Sequence, residues 1–247
     1  MKILVICGPT ATGKTTLAAS LAKKLNGELI SADSRQVYRG RDLETNKERP
    51  ASPAGGPDVP IWLYDVVEPG EEFSVSHWVK LARSAISDIQ KRGKLPIVVG
   101  GTGLYIKALL RPFETINIPP DKELREKKLS VKELQKMIPR GDMNWSDWNN
   151  PRRLIRRIET SKHKGLRGDS LKALIIGLTA PLPVLYKRID EGLERRLRSG
   201  MRVTGVNERA IARRQLVWFK KQKNIHWFDI SQKGFEDDIL RLIHEQD

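Results

Sequence analysis

Residues Gly8 to Thr15, Gly-Pro-Thr-Ala-Thr-Gly-Lys-Thr, fill every position of the pattern G-x-x-x-x-G-K-[ST], directly after a short apolar run, Lys2 to Cys7. Glycines at both ends let the main chain curl around an anion with its amide N–H groups turned inward. The lysine ammonium reaches the outer phosphates, the last hydroxyl is a ligand for Mg²⁺, and a helix starting at the loop turns its positive end toward the charge. Such a loop works only between a strand and a helix. Lys2 to Cys7 reads as the strand and Thr15 to Leu25 as the helix, which argues against a chance match in an ordinary turn. A polyphosphate or diphosphate ligand is expected at Gly8, Thr10, Ala11, Thr12, Gly13, Lys14 and Thr15. The loop leaves open which reaction that phosphate serves.

The pattern then continues as alternating strands and helices. Glu28 to Ala32 reads as a strand, and Ile61 to Val67 as another after the proline-rich stretch Pro50 to Pro60, which excludes a regular element. Ser76 to Arg92 reads as a helix, with Val79, Ala82, Ile86 and Ile89 at helical spacing and Gly93 past its end. Leu95 to Val99 is a buried strand running into Gly100-Gly101-Thr102-Gly103 and a helix from Leu104. This order predicts an α/β fold, a phosphate-loop NTPase-like parallel sheet with helices on both faces, in which ligands sit beyond the strands' carboxyl ends. From Glu114 to Ser170 strands vanish and charged helical segments, Asp121 to Met137 and Arg152 to Thr160, predict a small helical insertion. The sheet resumes at Ala173 to Thr179, followed by basic helices over Val184 to Ser199 and Asn207 to Lys221, a strand at Ile225 to Ile230 and a helix at Phe235 to His244. The expected domains are therefore a core of 1–113 with 171–247 and an insertion of 114–170.

Charge narrows the partner. The net +15 is concentrated in residues 152–167, with seven Lys/Arg against one acid, and 186–223, with twelve against four. Two basic stripes suit a polyanion such as nucleic acid; the alternative is solvated basic helices. With 39% hydrophobic and 30% charged residues and no apolar run near the roughly 20 residues of a membrane span, no membrane partner is expected. The apolar start is too short for a secretory signal, and the lone Cys7 reads as a small buried side chain, so a reducing, cytoplasmic setting is expected. Four scattered histidines lack zinc-ligand spacing, so no structural metal is expected.

Most phosphate-loop nucleoside triphosphatases carry a second apolar strand ending in an Asp that helps hold Mg²⁺. Here the strand from Leu95 ends in glycines and that from Ala173 in Thr179-Ala180-Pro181. Asp33, at the end of the second strand, is the carboxylate best placed to act as a general base beside a phosphorylated donor; the competing reading is a cap of the next turn. Gly100 to Gly103 is either a flexible turn or a place for a base or phosphate, with Thr102 donating a hydrogen bond. In Asn149 to Glu159, Asn150 caps, Pro151 suits the first helical position, and Leu154, Ile155 and Ile158 form an apolar face. Arg152 with Arg156, and Arg153 with Arg157, fall one turn apart and would repel without an anion across them. Trp145 and Trp148 either stack on bases or pack the insertion.

Five blocks together resemble the tRNA dimethylallyltransferase, or isopentenyl-tRNA transferase, family: Gly8 to Thr15, Ile30 to Gly40, Val98 to Tyr105, Asn150 to Arg156, and Arg214-Gln215-Leu216-Val217-Trp218-Phe219. The resemblance implies transfer of a dimethylallyl group from dimethylallyl diphosphate to N6 of the adenosine 3′-adjacent to the anticodon of tRNA. It implies that the loop holds the diphosphate, with Thr15 on Mg²⁺, that Asp33 activates the amine, and that Thr102 contacts a flipped adenosine. Asp33, Ser34, Arg35, Gln36, Arg152, Arg153, Leu154, Ile155 and Arg156 would touch the tRNA anticodon stem-loop. A monomer is expected. Two departures stand out. The family's late Arg-Ile-x-x-Arg pattern reads Arg188-Ile189-Asp190-Glu191-Gly192 here, with Arg195 or Arg196 as conceivable substitutes, and only a short link joins Ser199-Gly200 to Arg214. A non-catalytic tRNA-binding homologue and an ATP-dependent small-molecule kinase are the alternatives.

Overall fold

The computed structural model describes residues 2–47, 59–161, 163, 168–202 and 205–246. The proline-rich stretch read as a loop lies almost wholly outside them. β1 (Leu4–Cys7) leads through the glycine loop into α1 (Lys14–Lys24) and β2 (Gly27–Ser31). The one-turn α2 (Asp42–Thr45) and two-residue β3 (Ile61–Trp62) precede α3 (Val75–Lys91), β4 (Leu95–Gly100) and α4 (Gly103–Leu110). Four helices follow: α5 (Lys122–Glu126), α6 (Val131–Lys136), α7 (Trp145–Trp148) and α8 (Pro151–Ser161). The chain closes with β5 (Leu174–Thr179), α9 (Leu182–Arg198), α10 (Glu208–Lys220), β6 (His226–Asp229) and α11 (Phe235–Glu245).

Among the described residues there is one six-stranded sheet in the order β3-β2-β4-β1-β5-β6, every neighbour parallel. Leu4, Val5, Ile6 and Cys7 have no solvent exposure, the signature of a strand covered on both faces. Each such aliphatic side chain contributes about 1.5–3 kcal/mol of burial. Burial pushes the Cys7 thiol up to about 12 despite Lys14 nearby, leaving a packed rather than reactive group. β1 crosses over toward β2 on one side of the sheet, and β4 crosses over toward β5 on the other. The direction of winding therefore reverses between β1 and β4, and the crevice beyond their carboxyl ends is where an open parallel sheet receives ligands.

The chain divides into two compact units, residues 1–110 with 171–247, and 111–170. In the first, the Leu171 amide donates to the Leu110 carbonyl at 2.9 Å, closing the neck from which the insertion leaves. The second has its own core of Leu124, Leu134, Leu154 and Ile158, with Trp148 and Ile155 packed against it. Beside that core Glu159 is 5% exposed. Burial raises its pKa, but hydrogen bonds from Arg125, Arg156 and the Asp121 amide outweigh burial and leave it below the usual carboxylate range.

Three elements differ from the sequence expectation. The segment Ile61 to Val67 is strand only at its first two residues, because Leu63 and Asp65 adopt positive φ (69° and 56°) and the Asp65 carboxylate pairs with the buried Lys47. The helix expected over Asp121 to Met137 is two, each started by its own cap, Asp121 and Ser130, with Lys128 at φ 45° between them. The one-turn helix α7 starts at Asn144, whose side chain accepts from the Asp147 amide.

Candidate active site

Turns following β1, β2 and β4 converge at the sheet's carboxyl edge. In the first turn, a Cβ on Gly8 would stand 2.3 Å from the Leu178 carbonyl oxygen, so the close approach of β5 requires glycine there. Gly13 begins α1 at φ 76° with no side-chain cap, leaving the first amides of that helix to another acceptor. The Thr12 hydroxyl donates to the Pro9 carbonyl at 2.9 Å, and Lys14 Nζ donates to the same oxygen at 2.6 Å. The Thr12 side chain thus braces the loop from inside, being 3% exposed, and only its main chain is left to meet an anion. The Thr15 hydroxyl forms no hydrogen bond among the described residues, and it lines a small cavity of about 90 Å³ together with Thr10, Ala11, Gly13, Lys14 and Asp33.

Asp33 follows β2. Its Oδ1 accepts the Arg35 amide at 2.8 Å, so the capping reading describes one oxygen; its Oδ2 accepts no hydrogen bond among the described residues. The turn after β4 is stitched to this one. Thr102 donates its amide to the Ala32 carbonyl at 3.0 Å, and its hydroxyl accepts the Ser34 amide at 2.9 Å. Thr10, Asp33 and Thr102 share a second cavity of about 260 Å³ with Ser34, Arg35 and Gln215. Of the residues expected to face nucleic acid, Ser34 is exposed, and Arg35 lines the cavity while donating to the Glu44 carbonyl at 3.1 Å. Gln36 is committed internally: its amide nitrogen donates to the Thr45 and Asn46 carbonyls and its oxygen accepts from Ser31.

Two residues absent from the sequence-based site belong to this edge. Gln215 on α10 accepts the Thr10 amide at 2.9 Å and donates to the Gly101 carbonyl at 3.1 Å. Arg188 on α9 has its Nη2 only 3.6 Å from where a Cβ on Gly13 would be, and it has no hydrogen bond or ion pair among the described residues. Arg195 and Arg196, the conceivable substitutes for the arginine lacking at 192, are each engaged with protein, although Arg196 and its partner Glu208 line the same cavity of about 260 Å³ as Asp33. Arg195 donates to the Glu191 carbonyl, and the buried Arg196 grips both oxygens of Glu208 at 2.8 Å. The signal for Arg188 was the first arginine of the Arg-Ile pair, and for Gln215 the Arg-Gln-Leu block.

The glycines of the turn after β4 make room for protein. A Cβ on Gly100 would stand 2.3 Å from the Ala32 carbonyl, one on Gly101 2.3 Å from Gln215 Nε2, and one on Gly103 2.2 Å from the Trp218 ring.

Within the insertion unit the arginine stripe is largely neutralised. Arg153 pairs with Asp147, Arg157 pairs with Asp142, and Arg156 donates to Glu159 and to the Thr115 and Ile118 carbonyls. Arg152 alone of the four has no partner among the described residues. The expectation that Leu154 and Ile155 touch tRNA is corrected for their side chains: Leu154 is fully buried in the unit's core and Ile155 packs on it, because both lie on the apolar face of α8. Trp148 packs on the same core, whereas Trp145 is 71% exposed with the Arg140 guanidinium 5.8 Å from its ring centre.

A parallel sheet with a phosphate loop at its switch point, and beside it a carboxylate oxygen without a hydrogen bond among the described residues, places the chain in the class of phosphate-loop α/β proteins. The comparisons specify which. Residues 36–204 match the family model described as IPP transferase, and residues 1–54 match that of isopentenyl transferase. The chain is 36% identical to the tRNA dimethylallyltransferase of Geobacillus thermodenitrificans, covering 93% of this chain and 91% of that one. It is 40% identical to that of Leuconostoc citreum over 81% of this chain and 70% of the relative. The crystal structure of the tRNA isopentenylpyrophosphate transferase of Bacillus halodurans superposes with a TM-score of 0.66 at 31% identity, covering 99% of this chain and all of the other. The chain belongs to the tRNA dimethylallyltransferase family. The first of these alignments runs over 290 positions against 247 residues here, so that relative carries segments this chain lacks.

Proposed function

We propose that this chain transfers a dimethylallyl group from dimethylallyl diphosphate to N6 of the adenosine 3′-adjacent to the anticodon in tRNA. The observation that carries the reading is the uncommitted Asp33 oxygen in a cavity shared with Thr10 of the phosphate loop and Thr102. In this reading N6 attacks C1 of the dimethylallyl group, the C1–O bond breaks, the departing oxygen keeps the electron pair, and Asp33 takes the proton released from N6. The diphosphate is received by the loop amides, donors fixed in advance where negative charge accumulates, and by the side chains of Lys14 and Arg188. Mg²⁺ fits the donor set. Thr15 offers an uncommitted hydroxyl, and this ion is commonly held by one or two protein oxygens with phosphate and water completing the shell. Bound there, it would neutralise charge on the leaving diphosphate.

Arg152 and the exposed Trp145 are the insertion unit's proposed contacts to the tRNA anticodon stem-loop, as a phosphate partner and a base-stacking surface. A cytoplasmic setting and a monomeric state complete the proposal. No described helix is long and apolar enough to cross a membrane. The kinase and non-catalytic alternatives draw no support from the family match.

The test is incorporation of labelled dimethylallyl from its diphosphate into an anticodon stem-loop bearing the target adenosine. Transfer is expected with Mg²⁺, and its absence with every tRNA tried, from folded protein, refutes the reading. Asp33→Asn should lower kcat by about 10²–10⁴-fold, the usual worth of a general base, with tRNA affinity nearly intact.

A further inference from the structure

The winding of the sheet reverses between β1 and β4, and the chemistry proposed above needs the turns after those two strands to hold different substrates. The turn after β1 receives the diphosphate; the turn after β4, tied through Thr102 to Ser34, borders the Asp33 side. No backbone hydrogen bond of the sheet fixes one turn against the other, because the β1–β4 pairing stops at Cys7 and Gly100. The side chain of Gln215 spans the gap. Its carbonyl oxygen takes the Thr10 N–H and its amide nitrogen donates to the Gly101 carbonyl. The absence of a side chain on Gly101 lets it approach, and Trp218, one turn further along α10, fills the space left open at Gly103. Helix α10 is thus docked on the β4 turn at two successive glycine vacancies while reaching across to the β1 turn with one amide.

We infer that Gln215 is a positioning residue that sets the register between the donor-holding and acceptor-holding turns. It lines the cavities on both sides, but both ends of its amide are spent on main chain, one in each turn. A primary amide suits this work because it offers one acceptor and one donor at its tip, and each is used. The Thr10 N–H is thereby taken out of the phosphate cradle, leaving the amides from Ala11 onward to the anion. The inference rests on the prenyl-transfer reading for its kinetic consequence, but the bridge itself does not.

The experiment compares the parent with Gln215→Met and Gln215→Glu, measuring single-turnover transfer, and separately the affinity for dimethylallyl diphosphate and for the stem-loop. A register role predicts that Gln215→Met loses about tenfold to a hundredfold in turnover rate, the scale of a misplacement of about 1 Å, with each single-substrate affinity within about twofold of the parent. Gln215→Glu separates geometry from mere packing. As a carboxylate it accepts from Thr10 but cannot donate to Gly101; as a carboxylic acid it can do both. Its rate relative to the parent at the same pH should therefore recover as pH falls through the carboxyl range. Parent-like turnover in Gln215→Met, or a Gln215→Glu ratio that is flat with pH, overturns the inference, as does a loss located in one substrate's affinity. If neither variant folds, amide exchange in the parent decides: the Thr10 N–H should be protected more than that of Ala11, and equal exchange overturns the bridge. Absence of transfer in the parent would refute the prenyl reading, leaving the bridge to be judged by exchange alone.

Discussion

Replacing Arg188 by alanine tests how this chain holds its donor without an arginine at 192. The guanidinium lies within 3.6 Å of the Cβ position of Gly13 and has no protein partner among the described residues, so it is free to form a charge-assisted bond to a diphosphate seated on the loop. Hydrogen bonds to charged groups contribute about 1.5–3 kcal/mol net. Because Arg188 is exposed, solvent screening places it in the lower half of that range, about 1.5–2 kcal/mol, or roughly 10- to 30-fold in affinity. Titration calorimetry of Arg188→Ala with dimethylallyl diphosphate and Mg²⁺ should show that weakening, with stem-loop affinity unchanged. Arg188→Lys should recover only part of it, a point charge replacing a planar fork. Arg195→Ala, whose guanidinium is turned back to its own helix, should bind donor like the parent. A donor affinity for Arg188→Ala within twofold of the parent would refute the reasoning, and a loss in Arg195→Ala instead would move the role one turn along α9.

Glu28, 2% exposed on β2, is held at about 2 rather than the ordinary 4.5, chiefly by hydrogen bonds from Arg92 with Lys94 and Trp62 assisting against burial. A folded-state value below the unfolded one means stability that is fully present above pH 4.5 and lost as pH falls toward 2. The size is about 2–3 kcal/mol, trimmed by solvent at the half-exposed Arg92. Urea unfolding of parent and Glu28→Gln should therefore show a gap at pH 7 that shrinks to less than half by pH 3; an equal gap at both pH values would contradict this. On α8, Arg152→Ala should weaken stem-loop binding and reduce the slope of log affinity against log salt by about one. Leu154→Ala should lower stability by about 2–5 kcal/mol instead. Salt-slope and unfolding measurements separate the two effects.

What the sequence made legible was whatever is local. The loop Gly8 to Thr15 announces its own strand and helix, and α3 and α8 follow from apolar spacing. Elements set by single residues were harder to read. β3 stops after Trp62 because the chain turns at Leu63 and Asp65 to bring a carboxylate to Lys47, a partner distant in sequence. At the site, Asp33 was readable from its position at a strand end, whereas the neutralisation of Arg153, Arg156 and Arg157 depends on acids and carbonyls that only the insertion's folding brings near. The Arg-Gln-Leu block marked Gln215, but its bridging role escaped for the same reason: its two partners lie in turns far up the chain.

The central place of β1 has a consequence for how the protein is made. Leu4 pairs with Ile97 on one side and with Leu174 on the other, and the loop that follows β1 waits for Gln215 from α10. β1 is made before either strand that flanks it and stays unpaired until both have followed. Contacts so distant in sequence are slow to form, and until they do, β1 is an apolar strand with bare edges. Any chain cut short before α10 carries an intact phosphate-binding sequence with no Gln215 to tie its loop to the β4 turn.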